Sequence, residues 1–219
     1  MVYQMSAYFR AGVITLLIFL AGLLFGVWLD NFRLAEIRQS FSQIEIETAD
    51  ASLLSQYFKT LGKDACAQAL QQNLDFNHRI YQDGQRIEKA IAASGLTPEL
   101  ELEQKRYVLL QTTFWFNSLE LKKQCNFNYS TVVYLFAQKD LPATEQVTNK
   151  LQSGILLDLK EKCGNKIMLV PLEADLNLAI VQAIMKQYNV QKLPAIIINT
   201  NQTFQGLTTF QKLNEVVQC

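Results

Sequence analysis

The sequence predicts an α/β protein in three parts: an N-terminal transmembrane helix, a helical hairpin or stalk, and a C-terminal domain built β-α-β-α-β-β-α. Three observations carry that prediction. An uncharged run, AGVITLLIFLAGLLFGVWL, fills residues 11–29. Apolar residues then recur at three- and four-residue spacing, the helical period. From Tyr129 onward short β-branched runs alternate with helical stripes. The expected boundaries are a tail at 1–10, a span at 11–29, a stalk at 31–124 and a C-terminal domain at 127–219.

The apolar run has the length to span. At ~1.5 Å rise per residue it nearly matches a ~30 Å hydrocarbon core. A cleaved signal peptide fits less well, because its apolar core is usually only ~7–15 residues and ends at a small-x-small site. Here Asp30 and Asn31 follow directly, and LAGL (Leu20–Leu23) lacks the cysteine of a lipid anchor. Gly22 and Gly26 form a GxxxG pair, which lets two spanning helices approach closely and suggests a homodimer. Arg10 on one side nearly balances Arg33 and Arg38 on the other, so the basic residues leave the orientation open.

The stalk reads as three helices. Leu34, Ile37, Phe41 and Ile44, then Leu53, Leu54, Tyr57, Phe58 and Leu61, form an amphipathic stripe with an expected break near Thr48–Ser52. Gly62 stops it, and Asp64 is positioned to cap the next helix. That helix carries Cys66, Ala69, Leu70, Asn73, Asn77, Ile80, Ile87 and Ile91 on one side, with Gly84 lowering its propensity. SGLTP (Ser94–Pro98) breaks the pattern. Thr97 as N-cap, Pro98 at the first helical position, and Glu99 and Glu101 at the positive dipole end make a helix start. The third helix runs to about Lys123 through Leu102, Leu109, Leu110, Phe114 and Leu119. The tract Phe114–Phe116 must bury ring area or leave an exposed patch. The expectation is a stalk that packs on the next domain; docking of a partner by the aromatic tract is the other reading.

Charge and motifs exclude several functions. The chain has 219 residues, with 20 basic and 20 acidic, and no basic run, so nothing points to nucleic acid. No Gly-rich phosphate loop, metal-spaced ligand set or carboxylate pair occurs, so no cofactor is expected. His78 is the only histidine, in a Gln- and Asn-rich helix, and reads as solvated or capping.

In the C-terminal part, TVVYLF (Thr131–Phe136) is a first strand. A helix follows through Val147, Leu151, Ile155 or Leu156, and Leu159, ending at Cys163-Gly164. KIMLVPL (Lys166–Leu172) is the second strand and Leu178–Tyr188 the next helix. PAIII (Pro194–Ile198) and the segment with Thr203 and Phe204 make a hairpin. Thr208 or Thr209 caps a final helix through Leu213 and Val216–Val217. The first two strands should pair parallel, joined by a right-handed crossover, and the last two antiparallel.

This order, with the run YNVQKLPAIIIN (Tyr188–Asn199) and FQG (Phe204–Gly206), resembles the thioredoxin fold over roughly residues 127–219. By that resemblance Pro194 stands at the cis-proline position. The whole chain also resembles small archaeal membrane-anchored proteins with a helical hairpin between one spanning helix and a thioredoxin-like domain. Such relatives often carry Cys-Pro-x-Cys at the start of the first helix of the domain. Here the four positions read Leu141, Pro142, Ala143 and Thr144. Dithiol exchange needs a nucleophilic thiolate and a resolving thiol. The helix-start field that would lower a thiol pKa falls on Leu141, which cannot ionise. Thr144 has a hydroxyl but no base to activate it. The resemblance therefore implies a degenerate site with a peptide groove at Leu141, Thr144, Leu193 and Pro194, able to bind main chain as in strand addition.

The same resemblance places the cysteines. The helix ending at Cys163 and the final helix ending at Cys219 should finish at the pole opposite the site. Cys66 and Cys125 fall at neighbouring ends of antiparallel stalk helices. The implied pairing is Cys66–Cys125 and Cys163–Cys219, although four cysteines allow three pairings. Disulfides place the domain outside a reducing cytosol; the alternative is four free thiols facing it. The expected protein is thus a single-pass membrane protein whose extracytoplasmic domain binds a protein or peptide. The alternative is a thiol oxidoreductase or isomerase using a non-standard cysteine such as Cys125.

Overall fold

Helix α1, Val2–Leu61, runs for 60 residues without interruption and already begins where a tail at 1–10 is expected. The structure is a computed structural model that describes the backbone of residues 2–217 and 219 and the side chains of residues 9–28, 44–217 and 219. The side chains of Leu34, Ile37 and Phe41, and of Arg33 and Arg38, lie outside the described residues. Within α1, Phe9–Trp28 is long and apolar enough to cross a membrane, a property that signal sequences share. The chain divides into two compact units, Met1–Gln43 and Ile44–Cys219.

The expected break near Thr48–Ser52 does not occur. Thr48 Oγ1 donates to the Ile44 carbonyl at 2.7 Å and Ser52 Oγ to the Thr48 carbonyl at 2.9 Å. Both hydroxyls are thus satisfied within the helix, and neither pulls the backbone into a turn. Burial also follows a narrower seam than expected: Ile44, Ala51 and Phe58 are buried, whereas Leu53, Tyr57 and Leu61 are exposed.

Gly62, at φ +67°, ends α1. A 3₁₀ turn, Gly62–Ala65, leads into α2 (Cys66–Ser94). Asp64 is not its cap. The Cys66 N–H that Asp64 was placed to receive donates instead to the Lys63 carbonyl. Helix α3, Pro98–Cys125, starts as its sequence dictates: Thr97 Oγ1 accepts from Leu100 N–H at 3.3 Å, with Pro98 following Thr97 directly. Residues 44–61 of α1 run alongside α3, held by Arg106 on Glu45, Asn117 on the Ala51 carbonyl and Gln124 on the Phe58 carbonyl.

The expected stripe on α3 is corrected. Leu102 and Leu109 are exposed, while Leu100, Val108, Leu110, Phe114, Trp115 and Leu121 are buried. The helix is covered on more than one side, so Glu103, Gln104 and Gln111 are buried as well. A buried polar chain joins α2, α3 and the segment after it. Asn73 donates to Ser118 Oγ, Ser118 Oγ donates to the Phe114 carbonyl, and Tyr129 OH donates to the Ser118 carbonyl.

Four strands follow: β1 (Ser130–Phe136), β2 (Ile167–Glu173), β3 (Ala195–Ile198) and β4 (Gln202–Gln205). They lie in the order β2-β1-β3-β4, with β1 parallel to β2 and antiparallel to β3, and β3 antiparallel to β4. Helix α4 (Ala143–Cys163) joins β1 to β2, α5 (Ala179–Gln187) precedes β3, and α6 (Phe210–Val217) closes the chain. Thr209 stands before α6, with its hydroxyl toward Lys212 N–H at 3.5 Å.

The strands alternate strictly between two faces. Val133, Leu135, Met168, Val170, Leu172, Ala195 and Ile197 join one core. Val132, Tyr134, Ile167, Ile196 and Ile198 join the other. Helices α4 and α6 cover the second through Leu156, Leu159, Leu213 and Val217. The first is covered by α5, through Val181 and Ile184, and by the hairpin through Phe76, Ile80, Phe114 and Trp115. The hairpin therefore shares one core with the sheet. Trp115 and Phe114 are each only 1% exposed, and Trp115 meets the Tyr188 ring at a centroid distance of 6.2 Å. Of the aromatic tract, only Phe116 reaches solvent.

Candidate functional site

The strand registers bring four loops to one end of the sheet. Leu135 faces Ala195, Phe136 faces Glu173, and Ala195 faces Gln205. The β1–α4 loop, the β2–α5 loop, the segment before β3 and the β4–α6 connection therefore meet at that end. Leu141 and Thr144 belong to the first of these, and Leu193 and Pro194 to the third.

Helix α4 starts without a side-chain cap. Pro142 takes the N-cap place, and its carbonyl accepts from Glu145 N–H and Gln146 N–H at 2.9 and 3.1 Å. Gln146 Nε2 reaches back to the Leu141 carbonyl at 2.8 Å. Leu141 is half-buried, and Pro142, Ala143 and Thr144 are exposed. Farther along, Val147 and Leu151 are also exposed, contrary to the expected inward stripe. Gln152, Leu156, Leu159 and Cys163 occupy the buried side instead, which turns Val147 and Leu151 outward.

Two side chains hold the surrounding loops, and spacing in the sequence does not signal either. Asp175 Oδ2 accepts from Gln138 N–H at 2.8 Å and from Lys139 N–H at 2.7 Å. Gln205 Oε1 accepts from Gln191 and Lys192 N–H at 2.8 and 2.9 Å, while its Nε2 donates to the Asn189 carbonyl. The Leu193–Pro194 peptide is cis, and the Pro194 carbonyl accepts from Gly206 N–H at 2.7 Å. A third clamp is Gln152, fully buried, which donates to the Thr208 carbonyl and accepts its N–H.

Charge at this end centres on Glu101, Lys139, Glu173 and Asp175. Lys139 Nζ and Lys105 Nζ sit 2.9 and 2.8 Å from Glu101 Oε1. Their hydrogen bonds hold the Glu101 carboxyl down to about 2. Glu173 is 5% exposed. Burial, then the neighbouring Asp175 carboxyl, pushes it up to about 7.

The four cysteines lie elsewhere. Cys66 pairs with Cys125 and Cys163 with Cys219, with Cα atoms 5.7 and 5.3 Å apart. Cys163 ends α4 just before β2 begins, and Cys125 ends α3 before β1 begins. Both are thus at the end of the sheet away from Leu141 and Pro194. His78 is exposed and shares a hydrogen bond with Gln82. Among the described residues no cluster of histidine, cysteine and carboxylate has the composition to hold a metal. In the N-terminal unit, a Cβ placed on Gly22 or Gly26 would meet nothing within 4 Å. Phe19, Leu23 and Val27 line the same shallow groove.

No protein-family model matches the chain, and no curated protein matches it in sequence. Solved structures similar to part of the chain include three thioredoxins. Thioredoxin-2 of a malaria parasite, described as a component of its protein secretion machinery, is 21% identical with TM-score 0.34, over 42% of this chain and 82% of its own. Chloroplastic thioredoxin z is 17% identical with TM-score 0.33, over 42% and 79%. The germline-specific thioredoxin Deadhead of Drosophila melanogaster is 15% identical with TM-score 0.35, over 49% and 91%.

Proposed function

We propose that this chain is a membrane-anchored, thioredoxin-like binding module whose exchange site has lost its sulfur chemistry. One observation carries the reading. The helix start that would present a reactive thiol presents Leu141, Pro142, Ala143 and Thr144, while all four sulfurs are paired at the other end of the sheet. Leucine has no proton to lose, and a threonine hydroxyl without a base is a poor nucleophile. What supports binding is an exposed helix start at the same end of the sheet as Leu193 and Pro194, with exposed apolar side chains at Val147 and Leu151 on α4 and at Leu207 after β4. An extended polypeptide suits such a surface, because main-chain hydrogen bonds supply affinity and apolar side chains supply choice. The paired cysteines favour a unit facing an oxidising compartment. The apolar helix Phe9–Trp28 is the anchor, and Gly22 with Gly26 is the contact for a second copy of the span.

Full-length protein in nanodiscs, exposed to an array of extended cysteine-free peptides, tests this. Binding should persist in wild type and fall roughly tenfold or more in Leu141→Lys, the loss expected when an apolar contact is replaced by a charge worth ~1.4 kcal/mol or more. Equal binding by wild type and Leu141→Lys would remove the groove from the account. Crosslinking between copies should be lost in Gly22→Leu if the spans pair there.

A further inference from the structure

Two carboxyls, Glu173 and Asp175, lie beneath the β1–α4 loop. Glu173 ends β2 directly opposite Phe136, the last residue of β1. Asp175 follows two positions later. Asp175 Oδ2 is committed to the N–H groups of Gln138 and Lys139. The remaining oxygen, Asp175 Oδ1, and Glu173 Oε1 are both buried and have no hydrogen-bond partner in the protein. Two carboxyls in contact can bond only if one of them keeps a proton. A single proton held by Glu173 and donated to Asp175 would satisfy both orphaned oxygens at once.

One cation, Lys139, draws Glu173 toward its ionised form, but less strongly than burial and Asp175 oppose it. Lys139, on the loop itself, is paired with Glu101 of α3, and Lys105 of the same helix is paired with the same carboxylate. Glu101 adds a further negative charge facing the pair. From α5 the neighbouring group is Gln182, which is uncharged and bonded to the Ala174 carbonyl.

We propose that Glu173 and Asp175 form a proton-operated latch on the β1–α4 loop. With the proton in place, Asp175 is held under the loop and receives its two N–H groups. When Glu173 releases the proton to solvent, two like charges are left side by side in a buried place, which costs more than one charge or none. Glu173 is fixed on a strand. The backbone after it is pinned by Ala174 N–H on the Phe136 carbonyl at 2.7 Å. Relief therefore comes from the Asp175 side chain, which is half-buried and turns toward water. Gln138 and Lys139 lose their acceptor, and the loop that carries Leu141 is freed. The high affinity of Glu173 for its proton puts the change near neutral pH. The latch does not depend on what, if anything, binds at the loop.

Residue-resolved hydrogen exchange on the full chain in nanodiscs tests it, with intrinsic exchange rates divided out. Between about pH 5.5 and about pH 8.5, protection of the Gln138 and Lys139 amides should fall roughly tenfold or more, while amides in α6 stay unchanged. Glu173→Gln, whose amide donates to Asp175 at every pH, should keep both amides protected throughout. Asp175→Ala, which removes the acceptor, should leave them weakly protected throughout. Flat protection in wild type contradicts the latch, and so does a Glu173→Gln profile that falls with wild type. If Glu173→Gln does not fold, the wild-type profile alone decides: a fall confined to these amides supports the latch, and a flat profile overturns it.

Discussion

At the scale of single residues, side chains that bond to distant backbone do most to shape the site. Gln152 is the clearest case, because both ends of its amide are used on Thr208 within a closed interior. Gln152→Leu keeps the volume but strands a buried N–H and a buried carbonyl. A loss of about 1–3 kcal/mol of unfolding free energy is expected in denaturant titrations. These residues were not legible in the sequence. Gln152 lies 56 residues from Thr208, and Asp175 lies 36 from Lys139. Such contacts leave no periodic trace, since helix and strand periods report only which face a residue occupies. The start of α4 near Leu141, Pro142, Ala143 and Thr144 was legible, because these residues are consecutive and follow a strand after a short loop. The helix cap at Thr97 was legible for the same reason: its partner, Leu100, is three residues away. Asp64 has the residue type of a cap without its role, because a 3₁₀ turn had already used the N–H it would receive.

At the scale of elements, Gly84 of α2 lies against Tyr107 of α3. A Cβ there would lie 2.9 Å from Tyr107 Cζ, closer than any ordinary contact. The glycine is kept for approach, although it weakens the helix in isolation. Gly84→Ala should gain about 1 kcal/mol of helix propensity, yet lose about 1–3 kcal/mol through overpacking against the ring. A lowered melting temperature is expected, whereas in a Tyr107→Ala background the same glycine change should no longer lower it. Strands β1, β2 and β3 were legible to within a residue or two because each buries two clean faces; the end of α4 was legible too, although its first turns face Val147 and Leu151 outward. Helix α3 was not. It packs on α2, on α1 and on the sheet, so apolar Leu102 and Leu109 face water while Gln104 and Gln111 face the interior. A helix covered on several sides has no single stripe to read.

At the scale of the whole molecule, the hairpin and the sheet share a core, and charge and sulfur set the conditions under which that core holds. Burial, then neighbouring carboxylates, raises Glu173 from 4.5 to about 7; burial, partly offset by Arg86, raises Asp83 from 3.8 to about 6. A carboxyl with a raised folded-state pKa binds its proton more tightly folded than unfolded. Its contribution is complete below the unfolded value and is lost as pH rises through the folded one. Glu101 acts in the opposite sense, but only as pH falls below its ordinary range toward about 2. Melting temperature of the Ile44–Cys219 unit within the full chain is therefore expected to decline as pH rises from about 4.5 to about 7, and Glu173→Gln should flatten part of that decline. Reducing the two disulfides should cost about 2–4 kcal/mol each, since each closes a loop of more than fifty residues. The observed pairs are those the thioredoxin resemblance implied, where the sequence by itself left three pairings open. The most direct test of the proposed loss of sulfur exchange at the α4 start is turnover of insulin disulfides by the full-length protein in nanodiscs. Wild type should run at the uncatalysed rate, and the double variant Leu141→Cys with Thr144→Cys should gain turnover on the same scaffold. Wild-type turnover well above the uncatalysed rate, abolished by blocking one of the native cysteines, would contradict the account.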